Sequence, residues 1–142
     1  MKVVINRCED GHFGLSRRAV RAYLKRKGQD CFFYEGHINI DTKESTLIRA
    51  LDESGNALHG ATLTEDRGDK PSDKEIEWED RFDHWDIPRT DSDLIAVVEE
   101  LGEAANCDGV KLKIVEVPDD VKWCIEDDYG YETVEEEHRS WE

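Results

Sequence analysis

The sequence predicts a single α/β domain: an α+β sandwich in which a mixed sheet of about four to six strands packs against two main helices and a short C-terminal helix. Three observations carry this expectation. The 142 residues are the length of one ordinary domain, enough to bury a single core. Short β-branched and aromatic runs alternate with two segments of helical periodicity. Although charged residues (38%) match hydrophobic ones (37%), the apolar side chains gather in runs, so the polarity belongs to solvated segments around a folded centre.

"KVVIN" (residues 2–6) reads as a short buried strand, too short for a helix and followed by a turn. Ser16 is then a natural N-cap. In the helix that follows, Ala19, Val20, Tyr23 and Leu24 recur at helical spacing, and Gly28 closes it. Arg17, Arg18, Arg21, Lys25 and Arg26 are expected on the opposite, solvent-facing arc. "CFFYEGHINI" and "TLIRALD" read as two strands, and "ESGNALHG" as a turn into a return strand ending at "ATL".

Residues 65–93 hold 12 acids and five bases with few aliphatics, the composition of a surface loop; residues 65–86 are expected to form a flexible acidic insertion in the single domain spanning 1–142. Trp78, Phe82 and Trp85 interrupt that polarity and are expected to dock on the domain or on a partner. Thr90 or Asp91 then caps a helix with Leu94, Val97, Val98, Leu101, Ala104 and Ala105 on one face. "GVKLKIVEV" alternates as a strand and "VKWCIED" is expected to pair back on it as a hairpin. Tyr131, Val134, His138 and Trp141 share one face of the expected terminal helix, with Glu132, Glu135, Glu136 and Arg139 on the other.

The 35 acids against 19 bases give a net charge of −16 and a field that repels duplex nucleic acid and anionic membranes. Locally that sign reverses: residues 16–28 carry six basic side chains and no acid. The basic helix could neutralise residues 116–142, which hold 11 acids and two bases, or an acidic segment of a second copy in a homo-oligomer. With no CxxC pair, no apolar leader and no membrane-length apolar stretch, a cytoplasmic protein with buried structural thiols at Cys8, Cys31, Cys107 and Cys124 is expected.

The opening "KVVINRC…FGLS", the middle "DIPRTDSDLIAVVEELGEAAN" and the ending "KIVEVPDDVKW…EEEHRSW" resemble a group of small uncharacterised proteins found in bacteriophages and bacterial genomes. The likeness covers about the first 20 and the last 55 residues. Where members of the group carry two adjacent glycines, this chain reads "EDGH", which separates Gly11 from Gly14. The resemblance implies a phage-type accessory protein, acting in the host cytoplasm if phage-encoded, and brings no catalytic residue with it.

A glycine-containing turn from a strand into a helix can present backbone N–H groups and a helix N-terminus to an anion. On this ground the leading expectation is a small anionic ligand, with a nucleotide favoured, bound by Asn6, Arg7, Gly11, Phe13, Gly14, Ser16, Arg17, Arg21 and, from the C-terminal segment, Arg139. Sequestering a host defence signal would suit such a protein. The pattern is neither a P-loop nor a clean dinucleotide fingerprint. The bland alternative is a structural turn whose glycines only permit positive φ. A second reading is an acidic interaction protein or DNA mimic that blocks a basic host protein through Trp78, Phe82 and Trp85. A third is a small enzyme acting on a nucleotide-like substrate. Cys8 and His12 lack the second pair a zinc site needs, and with Asp10 they show no triad geometry, so neither metal, cofactor nor catalytic group is assigned.

Overall fold

A computed structural model describes residues 1–9, 11–38, 40–43, 45–50, 60–72, 76–107 and 109–137. The described elements run β1 (Lys2–Asn6), α1 (Arg17–Arg26), β2 (Phe32–Ile38), β3 (Ser45–Arg49), β4 (Gly60–Leu63), α2 (Ser92–Leu101), β5 (Leu112–Glu116), β6 (Trp123–Asp128) and β7 (Tyr131–Glu136). Short 3₁₀ turns lie at Trp78–Asp80, His84–Asp86 and Gly102–Ala105. The chain is therefore a mixed α+β domain with two main helices, as its sequence predicts.

Instead of one mixed sheet, the described strands form three small antiparallel sheets: β1 with β5, β3–β2–β4, and the β6–β7 hairpin. The reason lies at the free edge of β1. There the Val4 N–H donates to the Arg89 carbonyl, the Asn6 N–H donates to the Glu132 carboxylate, and the Arg89 guanidinium donates to the Val4 carbonyl. Groups that a third strand would pair are already bonded.

Both faces of β1 are buried. Val4 joins the largest core with Phe13, Leu15, the apolar face of α1, Phe33 and the α2 residues Leu94, Val97 and Val98. Val3 and Ile5 point the other way, to a core shared with Val117, Trp123, Ile125 and Val134. Strand alternation on β1 thus separates a helical layer from the hairpin layer. The hairpin corrects two expectations: β6 pairs with β7 and not with β5, and residues 131–136 are strand and not helix. Tyr129 (φ 51°) and Gly130 (φ 90°) make the two-residue left-handed turn that matches strand twist. Residues 138–142, which include His138, Arg139 and Trp141, lie outside the described residues.

The acidic segment wraps the three-stranded sheet. Asp69 and Pro71 accept from the backbone of Arg49 and Leu47 along the outer edge of β3, while the Phe82 N–H donates to Thr62 on β4. The Tyr34 hydroxyl accepts from Arg67 N–H at 3.1 Å and donates to the Gly68 carbonyl at 3.0 Å. Phe82 packs against the main core beside Tyr23, and Trp85 stays half exposed against His12 and Phe13. The Trp78 side chain lies outside the described set.

Both helices begin as their sequences dictate, but α2 stops at Leu101, and Ala104 and Ala105, expected on its apolar face, lie in the 3₁₀ turn that follows. Ser16 accepts from Ala19 N–H, and Gly28 takes φ 74° just past the end of α1. Asp91 caps α2 by accepting from Asp93 and Leu94 N–H. The bases at the end of α1 face that cap: Arg26 pairs with Asp93, and Lys27 with Asp91 and Asp93. Among the described residues, their partners are thus at the start of α2 and not in the C-terminal segment.

Candidate functional site

The loop from β1 into α1 is held by the rest of the molecule. The Asn6 side chain is fully buried and uses all of its hydrogen-bonding capacity: its amide donates to the Gly130 and Cys8 carbonyls, and its oxygen accepts from Cys8 and Lys111 N–H. It ties β1 to β5 and to the hairpin turn, leaving no free group for a ligand. Arg7 lies over the Tyr131 ring, 4.3 Å from its centroid.

Gly11 and Gly14 serve close packing. Neither has left-handed backbone. A Cβ on Gly11 would overlap the Gly109 carbonyl oxygen, and one on Gly14 would lie 3.1 Å from Cys107 Sγ and 3.4 Å from His84 Nε2. The positive-φ explanation is therefore replaced by contact with residues far away in the chain. Phe13 is buried between the Arg89 guanidinium, 3.5 Å from its ring centroid, and the rings of His84 and Trp85. Arg89, which sequence reasoning missed, is held by a bidentate pair with Glu132 at 2.7 and 2.9 Å.

Burial holds the His84 imidazole below the ordinary histidine range, against the Asp83 carboxylate, which favours the charged ring. Below about pH 6.5 the unfolded chain takes up a proton that the folded chain refuses, so this contribution is complete above that pH and lost as the pH falls toward the folded value. Urea midpoints measured between about pH 7 and pH 5 should fall less steeply in His84→Gln than in the parent. Equal slopes would show that His84 does not couple to folding.

All four cysteines are thiols; Cys31 is buried and the others half-buried. Partial burial and the Glu126 carboxylate raise the Cys124 thiol above its ordinary value, which disfavours the nucleophilic thiolate.

At the start of α1 the Ser16 hydroxyl donates to the Ala104 carbonyl at 2.7 Å while capping Ala19 N–H, so it too is committed to the fold. Arg17 departs from expectation. Its residue is only 4% exposed, not on the solvent-facing arc. The guanidinium lies over the Phe33 ring at 5.4 Å, and Nη1 donates to Glu35 Oε1 at 3.3 Å. Its buried Nε and Nη2 have no hydrogen-bond partner among the described residues. Arg21, one turn on and exposed, lies over the same ring at 5.1 Å and donates to the Cys31 carbonyl.

The candidate site thus contracts to Arg17 and Arg21 over Phe33, with Glu35 beside them. Asn6, Gly11, Phe13, Gly14 and Ser16 build the frame behind it, Arg7 faces the hairpin, and Arg139 lies outside the described residues. Burial of a basic helix position carries no local sequence signal, because its cause is a ring on β2. No protein-family model, curated protein or solved structure matches this chain.

Proposed function

We propose that this chain is a non-enzymatic accessory protein that binds a small anion through Arg17 and Arg21, with nucleotides the first ligand class to test. One observation carries the reading: a guanidinium buried from water with Nε and Nη2 unbonded among the described residues. Such a charge is costly unless paired, and each orphaned donor costs about 1–3 kcal/mol. Those two nitrogens form the edge that takes a carboxylate or phosphate side-on. The resemblance to small phage proteins supports sequestration of a host signal, a task that needs binding and no chemistry.

Calorimetry with inorganic phosphate and a panel of nucleotides tests this. The parent is expected to bind at least one probe with Kd below about 100 μM, or roughly −5.5 kcal/mol. Arg17→Met should weaken that binding by about tenfold or more. The same variant should leave stability equal or raised, because it replaces a poorly compensated buried charge with an apolar chain of similar length. A parent that binds none of the probes, or an Arg17→Met protein that binds as well, would overturn the proposal.

A further inference from the structure

We infer that the groove between the C-terminal half of α1 and residues 81–87 binds a small aromatic amine, with the ring on an apolar floor and the ammonium at Asp86. This site is separate from Arg17, which lies at the other end of α1. The groove is an open cavity of about 520 Å³, within the roughly 300–1,000 Å³ of small-molecule sites. Leu24 and Ile87, both buried, form its floor together with the rings of Tyr23 and Phe82. Those two rings lie 6.1 Å apart at 44°, so a flat ligand ring meets two aromatic surfaces at an angle. The Tyr23 hydroxyl is already engaged with Asp91 at 3.4 Å, which leaves the floor apolar in character.

Charge at the rim selects the ligand. Lys27 stands on the rim, but with Arg26 it pairs with Asp91 and Asp93, a set of two cations and two anions that is neutral in itself. The rim charges outside that set are Arg81, Asp83 and Asp86, which leave an excess of one negative charge. Arg81 donates to the Ile76 carbonyl at 3.2 Å, and Asp83 accepts from Trp85 N–H at 2.9 Å. The Asp86 carboxylate is exposed and has no hydrogen-bond or ion-pair partner among the described residues. An ammonium on a short arm reaches that carboxylate while its ring covers the floor. A neutral ring gains the floor alone, and a carboxylate adds a further negative charge to a rim that already has an excess.

The test titrates 2-phenylethylamine, 2-phenylethanol and 3-phenylpropanoate into the parent, Asp86→Asn and Asp120→Asn, followed by amide NMR at about 0.15 M salt to screen the diffuse field of a −16 chain. Both substitutions sit at exposed side chains, and the spectra themselves show whether each protein folds. The amine should shift the signals of Tyr23 and of residues 81–87 with Kd below about 1 mM. At those signals the alcohol should bind about two- to fivefold more weakly, and the carboxylate more weakly still. Asp86→Asn should bring the amine to the level of the alcohol, and Asp120→Asn should leave it as in the parent. Shifts spread over the acidic surface with none concentrated at the groove would show diffuse attraction only and overturn the site. An amine affinity that Asp86→Asn leaves unchanged, or a carboxylate that binds the groove as well as the amine, would overturn it equally. Each of these outcomes leaves the anion reading at Arg17 untouched, because that reading is followed at a different end of α1.

Discussion

Glu132→Ala is expected to destabilise the fold by about 3–5 kcal/mol, a large share of the roughly 5–15 kcal/mol that holds a domain together. Glu132 is 3% exposed. Its carboxylate takes both arms of Arg89 and also accepts the Asn6 N–H at 2.8 Å. Removing it leaves a largely buried guanidinium against Phe13 without its counter-charge, and orphans a buried amide on β1. Arg89→Met combined with Glu132→Leu should lose much less than the sum of the single changes, because the uncompensated charge is gone. Urea unfolding of the four proteins measures the coupling. A Glu132→Ala loss of less than about 1 kcal/mol, within the range of an exposed pair, would contradict a buried one.

Gly130→Ala is expected to cost about 4 kcal/mol or more, which places it among exceptional single substitutions. Two effects combine there. At φ 90° any Cβ is strained, and this one would also overlap the Gly11 carbonyl. Gly68 separates the effects, since its φ is 88° but nothing lies within 4 Å of the added atom. Gly68→Ala should therefore show the backbone penalty alone, about 1–2 kcal/mol. Urea midpoints for the two variants decide the matter; equal losses would mean that the hairpin turn does not press on the loop between β1 and α1.

Much of the fold was legible because its determinants are local. Ser16, Asp91 and Gly28 mark helix ends by their own chemistry, and the apolar spacing in α1 and α2 reports which face is buried. The hairpin was not legible, since Glu132 breaks the alternation that would have marked 131–136 as strand. Its inward position depends on Arg89, 43 residues earlier. The same inversion hid Arg17, whose burial is set by Phe33 and Glu35. Sequence patterns equate charge with solvent, and a buried ion pair violates that rule at both of its ends. Gly11 and Gly14 were rightly singled out, but for a turn conformation they do not adopt; what demands them is Gly109, Cys107 and His84, which no local window contains.

The path of the acidic segment limits how copies of this protein can meet. Backbone groups on the outer sides of β3 and β4 are taken by residues 69–71 and by Phe82, and the open side of β1 is taken by Arg89 and Glu132. Those edges cannot recruit a strand from a second molecule. The β3–β2–β4 sheet is in effect flanked by an acidic part of the chain, so a neighbour approaching those edges meets carboxylates before it meets a hydrogen-bonding edge. Self-association there would have to proceed through side chains and become stronger as salt screens the repulsion, the opposite of the salt response expected for a basic helix meeting an acidic segment.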